Sequence, residues 1–363
     1  MKTILLVEPD YYSTFPPLGL LKIAAYHRDI GDNVLPLVKG QKVPKEDPDL
    51  IYVTSLFTYS WREVHKAVHF YKDYFPNTKV WLGGVYASIM PEHAATSGAD
   101  YVHKGIFEKA ESYSPAYDML EKPWNGSIIF SSRGCIRNCR FCAVPKIEGK
   151  SSRLEDSIKK FVSDEHTRII FFDNNILGAR NWRNIFDELI EIGKKVDFNQ
   201  GLDARLITSE SAEKIVQLKM DKIRIAYDSK SMGKLIERGV KHLKNAGISP
   251  RKIFAYTLFN FTDTPKDFFE RVRQLLNWGV VSYPMNFQPV YSLDKNKYIS
   301  PNWSSAELQK VILALRVIGY GGAFPPHAGL VNKFNEAKNF EEAFDVIPLE
   351  LSKELSLTKS QHN

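Results

Sequence analysis

Cysteine is scarce in this sequence. Three cysteines occur among 363 residues, and all of them lie between positions 135 and 142. A secreted disulfide framework normally spreads an even number of cysteines along the chain, so three clustered ones argue against it. We therefore expect a reducing compartment and a metal site built from this single cluster.

Long apolar runs are also missing. No stretch of about 18 apolar residues occurs, and the start MKTILLVEPDYY has neither the apolar segment nor the small-residue cleavage site of a signal peptide. The sequence accordingly predicts a protein of the cytoplasm with no membrane span.

A strong charge of either sign is absent as well. The 49 Lys and Arg residues exceed the 42 Asp and Glu residues only mildly for a chain of this size. This balance does not indicate a nucleic-acid partner, although it leaves RNA contact open. Hydrophobic residues at 44% and charged residues at 25% are typical of a folded globular protein, which excludes disorder.

The amino-terminal part alternates between β-rich runs and helical patterns. The runs typical of strands are TILLVEP, NVLPLVKG, LIYVTSLF, KVWLGGV and YVHKG. Intervening helices predict a doubly wound parallel sheet of the Rossmann or flavodoxin type over residues 1–112, with ligands at the carboxyl ends of its strands. Residues 113–126, which contain Pro and Gly, are predicted as a linker.

A second alternating series begins at residue 127. Its strand-like runs are SIIFSSRG, RIIFFD, KVDFNQGL, KIRIAYDS, KIFAYTLFN and SYPMNFQPV, with amphipathic helical patterns between them. Six β/α units predict a partial (β/α)6 barrel over 127–302, with its chemistry on loops at the carboxyl ends of the strands. Residues 303–363 are expected to add one helix, SSAELQKVILALRVIG, and a polar tail.

The cysteines follow the first strand of the predicted barrel, in the segment SSRGCIRNCRFCAVP. Cys135, Cys139 and Cys142 are close enough for one loop to wrap a single iron–sulfur cluster. Three thiolates leave one iron of a 4Fe-4S cluster open to chelate S-adenosylmethionine (SAM), whose sulfonium C–S bond an electron can then break. Structural zinc is the alternative, but it normally takes a fourth ligand nearby, and the nearest histidines in sequence are His103 and His166.

This Cys-x3-Cys-x2-Cys spacing, with Phe141 before the last cysteine, resembles the hallmark of the radical SAM superfamily. The order of the strand-like runs over residues 127–300 is similar to the partial barrel of that superfamily. The resemblance implies a 4Fe-4S cluster, SAM as a cofactor and a 5′-deoxyadenosyl radical as the reactive species. It also implies a reductant protein such as flavodoxin or ferredoxin. The excess of Lys and Arg between 133 and 160 suits an acidic donor.

Polar residues after the second and third barrel strands are candidates for SAM contact. FFDNNILG stands where many superfamily members have a Gly-Gly-Glu stretch, and a helix-capping turn is the alternative. FNQGLDARLIT resembles a stretch of cobalamin-associated members, and a local ion pair is the alternative. The candidates in these two stretches are Asp173, Asn174, Asn175, Gln200, Asp203 and Arg205.

Later strand ends supply further candidates, each with an ordinary barrel-rim role as the alternative. Gln288 is a candidate for SAM contact. Tyr227, Asp228 and Tyr256 are candidates for catalytic proton or radical transfer.

The amino-terminal half resembles the cobalamin (B12)-binding domain that precedes the barrel in one radical SAM class. The resemblance rests on FPPLGLLKIAAYHRDIGDNV, SLFTYSW and WLGGVYASIMPEHA. No Asp-x-His-x-x-Gly occurs, so histidine ligation of cobalt is not implied, and GIFEKAE replaces the usual Gly-Glu-Gly-Glu-like turn. A Rossmann-like sheet without the cofactor is the alternative. The residues that would line a corrin face are Thr54, Ser55, Leu56, Phe57, Gly83, Gly84 and Val85.

With cobalamin bound, the resemblance implies radical methylation of an unactivated carbon. Without it, the same radical would drive a rearrangement, an oxidation or an epimerisation. Methylthiolation of tRNA requires amino-terminal cysteines, and residues 1–134 contain none. A non-catalytic electron-transfer or sensor protein is the alternative outside enzymes, and three cysteine ligands rather than four argue against it. The substrate is not indicated.

Overall fold

The computed structural model describes residues 1–150, 155–319 and 327–346. The chain divides into two compact units. The first unit comprises Met1–Asn174 and Gln288–Lys297, and the second comprises Asn175–Phe287 and the described residues from Tyr298 onward. Residues 347–363, which hold most of the predicted polar tail, lie outside the described residues.

The first unit begins with alternating strands and helices. Its elements are β1 Thr3–Glu8, α1 Leu18–Asp29, β2 Asn33–Val34, β3 Val38–Lys39, β4 Leu50–Ser55, α2 Trp61–Tyr74, β5 Lys79–Gly84, α3 Val85–Ile89, α4 Pro91–Ala95, β6 Tyr101–Val102, α5 Glu108–Glu111, β7 Ser127–Ile129, α6 Val144–Ile147 and β8 Arg168–Phe171.

A parallel sheet forms the centre of this unit. Its strand order is β2-β1-β4-β5-β6, and β3 continues the pairing of β2 farther along β1. With β2 and β3 counted as one interrupted strand, this is the flavodoxin-like doubly wound order, whose switch point lies between β1 and β4. A separate parallel pair, β7 with β8, follows in the chain.

Alternate residues of β1 enter two different cores. Leu5 and Val7 pack on the α2 side, whereas Ile4 and Leu6 pack on the α1 side. Both faces of the sheet are therefore covered, which explains why TILLVE reads as a continuous apolar run rather than an alternating one.

The second unit continues the alternation. Its elements are α7 Trp182–Ile192, β9 Lys195–Phe198, α8 Ser209–Gln217, β10 Ile223–Ala226, α9 Gly233–Asn245, β11 Ile253–Phe259, α10 Pro265–Asn277, β12 Val281–Asn286, α11 Ser305–Gly319, α12 His327–Glu336 and α13 Phe340–Ala343.

In this unit β10, β11 and β12 form a parallel sheet. Side chains of β11 alternate strictly between buried and partly buried, so one face of the sheet packs on helices and the other is more open. Buried apolar residues of α10, α11, α12 and α13 form one core behind the sheet. Among the described residues, no helix combines the length and apolarity that a membrane crossing requires.

The predicted α/β class with parallel sheets is confirmed, and each predicted strand segment contains an observed strand. The six-stranded partial barrel is not established by these pairings and stays a prediction, as do the boundaries at 112, 126 and 302. Helices α3 to α6, α12 and α13 were not predicted.

Candidate functional site

The three cysteines lie in one irregular loop between β7 and α6, and all of them are partly buried. The backbone N–H of Arg137 donates to the sulfur of Cys135 at 3.3 Å, and the N–H of Cys142 donates to the Cys139 carbonyl at 3.1 Å. The N–H of Cys135 reaches the Gly149 carbonyl at 3.3 Å, which closes the loop on itself. Thiol sulfurs that receive backbone N–H groups are a feature that tunes iron–sulfur clusters.

Gly134 determines how the chain enters this loop. Its φ is +72°, and a Cβ at this position would lie 2.4 Å from the Lys150 carbonyl oxygen. Only glycine fits such a backbone approach.

Among the described residues, no group of three or more His, Cys, Asp or Glu side chains is arranged to hold a metal ion. The fit of a cluster therefore rests on the donor set: three thiols in one short loop, with Phe141 beside the last of them. Thiolates are the ligands that iron–sulfur clusters take, and three of them on one loop suit a cluster with an open iron.

Asp173 follows β8 and is almost fully buried. Its carboxylate accepts four hydrogen bonds of 2.6–2.9 Å from the backbone and hydroxyl groups of Ser131 and Ser132. Burial raises its pKa, and these hydrogen bonds oppose the rise. Asp173 therefore fastens the segment ahead of the cysteines, a role different from the SAM contact that the sequence predicts for it. Its neighbour Asn174 donates to Glu148 at 2.9 Å.

The second unit brings three of the predicted SAM residues together. Arg205 donates twice to Asp203, at 2.6 and 2.9 Å, and the amide of Asn175 donates to the same carboxylate at 3.2 Å. The local ion pair considered from the sequence is thus present. Gln200 is exposed in the turn after β9.

Asp228 lies two residues after the end of β10 and is partly buried. Burial raises its pKa to about 6, while Arg271 and Arg205 oppose this rise and Asp203 adds to it. A carboxyl group with such a pKa can hold or release a proton near neutral pH.

The two predicted catalytic tyrosines differ in environment. Tyr227 is fully buried, and its hydroxyl donates to Gln274 on α10 at 2.6 Å, so it braces the core. Tyr256 is partly buried, and its hydroxyl accepts from Arg224 at 3.1 Å. Arg224, which also pairs with Asp197, was missed from the sequence. The signal available was a charged residue inside the apolar run KIRIA.

Gln288 belongs to the first unit. Its amide donates to the Asp294 carbonyl at 3.1 Å and accepts from the Asn296 N–H at 2.8 Å. The side chain therefore closes the loop Gln288–Lys297 on itself, whereas the sequence predicts a SAM contact. In the same loop, the Ser292 carbonyl accepts from Thr58 at 2.6 Å.

The predicted corrin-facing residues lie at the carboxyl ends of β4 and β5. The Ser55 hydroxyl donates to the Gly83 carbonyl at 2.7 Å and accepts from the Ala87 N–H at 3.1 Å, which locks the two strand ends together. Gly84 has a φ of +100°, and a Cβ there would lie 2.2 Å from the Ser55 carbonyl oxygen.

The other predicted residues of this edge present apolar and hydroxyl groups. Thr54 is partly buried near the end of β4, Leu56 packs against the core, and Val85 begins α3. Phe57 is 45% exposed and stacks on Tyr59, with ring centroids 4.9 Å apart. This surface presents small residues and a flat aromatic pair, and its role as a corrin face stays a prediction.

Glu8 and Tyr11, at the end of β1 on the other side of the switch point, were not singled out from the sequence. Both are buried. Burial raises the pKa of Glu8, although Lys39 opposes the rise, and burial and Glu8 together raise the pKa of Tyr11. The segment EPDYY was the available signal, because it follows a strand at the edge where ligands bind.

Residues 9–112 match the family model of the B12 binding domain. The match begins directly after β1 and covers β4, β5 and all seven predicted corrin-facing residues. It supports the amino-terminal cobalamin-binding-like domain and covers less than half of the chain, so it does not assign a family to the whole protein. No curated protein matches the chain.

Two solved structures are similar to the chain at very low identity. The HMG-CoA lyase from Brucella melitensis has 9% identity and a TM-score of 0.27, with 90% of this chain and 98% of that chain covered. A cube-shaped protein cage designed by fusing symmetric oligomeric domains has 10% identity and a TM-score of 0.21, with 99% and 83% covered. At these TM-scores neither structure carries an argument.

Proposed function

We propose that this protein is a radical SAM enzyme with an amino-terminal cobalamin-binding domain, and that it methylates an unactivated carbon of its substrate. The observation that carries the proposal is the position of the cysteine loop. Cys135, Cys139 and Cys142 lie in the same compact unit as the segment that matches a B12 binding domain.

The chemistry follows from what each group supplies. When bound, a 4Fe-4S cluster would supply the electron for reductive cleavage of SAM, and methylcobalamin would supply the methyl group. The three cysteines would hold the cluster and leave one iron for SAM. Asn175, Asp203 and Arg205 are proposed to contact SAM, since a carboxylate suits ribose hydroxyls and a guanidinium suits the SAM carboxylate.

Further residues of the chain have proposed roles. Asp228 would hold or move a proton, and Tyr256 would contact the substrate or relay a radical. The partial (β/α)6 barrel over 127–302 is part of the proposal, as are a reductant protein such as flavodoxin or ferredoxin and a place in the cytoplasm.

The test is anaerobic reconstitution with iron and sulfide, reduction with dithionite in the presence of SAM, and chromatography for 5′-deoxyadenosine, with and without methylcobalamin. The expected result is 5′-deoxyadenosine together with a corrin spectrum that stays with the protein. Deoxyadenosine without retained corrin would leave a cobalamin-independent radical enzyme.

Two variants make the test specific. Cys139→Ser should abolish deoxyadenosine formation, whereas Asn138→Ser, at the exposed neighbouring position, should leave it unchanged. A wild-type protein that carries a full cluster and yields no deoxyadenosine would overturn the proposal and favour electron transfer.

A further inference from the structure

Four charged residues are buried together beside the cysteine loop. The exposed fractions of the Lys22, Glu111, Arg133 and Glu148 side chains lie between 7% and 12%. None of these residues was assigned a role from the sequence, and the proposed reaction does not use them. Their grouping within the first unit therefore needs an explanation of its own.

Arg133 is the centre of the group. Its guanidinium donates to both oxygens of Glu111, at 2.9 and 3.0 Å, and to Glu148 at 3.1 Å. Its charge also lies 3.3 Å from the ring centre of Phe130. The planar guanidinium thus bridges two carboxylates in a way that a lysine ammonium cannot.

Glu148 connects the group to the loop itself. Its second oxygen accepts from the backbone N–H of Gly134 at 2.8 Å and from the side chain of Asn174 at 2.9 Å. Gly134 directly precedes Cys135. The backbone just ahead of the first cysteine is consequently held by a carboxylate that directly follows α6.

Glu111 connects the group to the B12-binding domain. Both Glu111 and Lys22 lie within the matched residues 9–112, and Lys22 donates to the Glu111 carbonyl at 2.8 Å. Burial alone would raise the pKa of Glu111, but Arg133 and Lys22 outweigh it and hold this pKa below the ordinary value.

Two cations and two carboxylates make the group neutral, yet desolvating four charges rarely adds net stability compared with apolar residues. What such a group supplies is a defined geometry, because the Arg133 guanidinium reaches both carboxylates with hydrogen bonds of 2.9–3.1 Å. Outer partners of this kind orient metal ligands and tune the metal that they hold.

We infer that Glu111 and Glu148, acting through Arg133, are positioning residues that fix the first cysteine of the loop relative to the B12-binding domain. The inference rests on the proposed function, since it assumes that the cysteines hold a cluster. Loss of the Glu148 charge should make the cluster easier to reduce, because cluster potentials depend on nearby charge and on hydrogen bonds to the sulfurs.

The test compares full-length Glu148→Gln and Arg133→Lys with the wild type after reconstitution with iron and sulfide. Glu148→Gln keeps the size and shape of the side chain and removes its negative charge. Arg133→Lys keeps the positive charge and removes the planar guanidinium that bonds both carboxylates. Asp118→Asn is the matched control, since Asp118 pairs with Arg28 of the same unit at an exposed position.

Three quantities are measured for each protein: the rate at which a chelator removes iron, the EPR spectrum of the reduced cluster, and its reduction potential. Far-UV circular dichroism of the metal-free chains reports folding. Both variants should lose iron about tenfold faster than the wild type, with altered EPR spectra. Glu148→Gln should also have a raised potential, and Asp118→Asn should match the wild type.

The outcomes separate the two proposals. Variants that fold and match the wild type in iron loss, spectrum and potential would overturn the positioning role and leave the radical SAM proposal standing. A folded wild type that takes up no cluster would overturn both. Should Glu148→Gln fail to fold, Arg133→Lys decides the matter by the same measurements.

Discussion

Single residues show most directly which parts of the candidate site are constrained by backbone geometry. Gly84 and Gly31 both have positive φ values, +100° and +83°. Only at Gly84 would an added Cβ meet neighbouring backbone, at 2.2 Å from the Ser55 carbonyl oxygen, whereas nothing lies within 4 Å at Gly31. Gly84 therefore combines a steric clash with a backbone conformation (φ +100°, ψ −167°) that essentially only glycine adopts, whereas Gly31 has a positive φ without a clash.

We predict that Gly84→Ala lowers the free energy of unfolding by about 4 kcal/mol or more, because strain and clash add. Gly31→Ala should lower it by about 1–2 kcal/mol, the cost of a left-handed conformation. Urea unfolding of both variants measures the difference. Equal losses would show that the Ser55 carbonyl moves aside at little cost.

The pKa of Asp228 makes a prediction with a definite sign. Because this pKa is raised from 3.8 to about 6 in the folded chain, the folded state binds the proton more tightly than the unfolded state between these values. Stability contributed by this group should therefore fall as pH rises from about 4 to about 6 and stay constant above that range.

We predict that Asp228→Asn removes this component and raises the free energy of unfolding at pH 7 by on the order of 1–2 kcal/mol. The measurement is urea unfolding from pH 4 to pH 8. Asp221→Asn, which removes an exposed carboxylate of the same unit, is the control. If the difference in free energy of unfolding between the wild type and Asp228→Asn did not change with pH, the raised pKa of Asp228 would be contradicted.

The sequence was enough to predict the cysteine cluster from its spacing. It was not enough to predict which residues contact the cysteine loop. Glu111 and Glu148 are 22 and 15 residues from Arg133, and no periodicity links such positions. Asp173 was nominated from its place after a strand. Its four bonds to Ser131 and Ser132 depend on how β7 pairs with β8, which spacing alone does not reveal.

At the scale of elements, periodicity predicted the strands and the long helices well. The apolar stripes of α7 and α10 extend over three turns, so their pattern is clear. Helices α3 and α4 have five residues each, too few to show a helical period, and were missed. The sequence WLGGVYASIMPEHA was instead interpreted through its resemblance to a B12-binding domain. The match of residues 9–112 to the B12 binding domain supports that interpretation.

Helix α10 offers a prediction about how a helix holds a strand end. Arg271 on this helix is fully buried, donates to the Tyr227 carbonyl at 2.8 Å and pairs with Asp263 at 2.5 Å. It therefore anchors the end of β10, next to Asp228. A carboxylate left behind without its cation would be buried and uncompensated.

We predict that Arg271→Leu lowers the free energy of unfolding by about 3–5 kcal/mol. Arg273→Leu on the same helix, where the cation lies over Phe269 at a partly exposed position, should change it by less than about 1 kcal/mol. Urea unfolding with comparison of midpoints measures both. Similar losses in the two variants would show that the buried pair adds nothing beyond ordinary surface contacts.

At the scale of the whole molecule, the order of elements was predictable and their grouping was not. Alternating strands and helices predicted an α/β chain with parallel sheets, and this is confirmed. The compact units divide the chain at Asn174 and assign Gln288–Lys297 to the first unit. The hydroxyl of Thr58 donates to the Ser292 carbonyl at 2.6 Å and so connects that late segment to the amino-terminal part of the first unit, a contact that sequence proximity cannot indicate.

The match to a B12 binding domain predicts that cobalamin stabilises the whole chain. A ligand that binds only the folded state stabilises it, by about 2.7 kcal/mol at one hundred times its dissociation constant. If the corrin lies on the edge where β4 and β5 end, hydroxocobalamin should raise the free energy of unfolding of the full chain by this amount. Phe57→Ala should weaken that affinity, because Phe57 is an exposed aromatic of this edge.

Tyr74→Ala is the matched control, since Tyr74 is 55% exposed but ends α2 just before β5 begins, at the opposite edge of the sheet. Titration followed by absorbance gives the affinities, and urea unfolding gives the stabilisation. Equal affinities for Phe57→Ala and Tyr74→Ala would place the corrin away from the predicted edge. No stabilisation of the wild type at any concentration would show that the domain keeps the fold without the cofactor, and the cobalamin-independent radical reaction would then become the function to test.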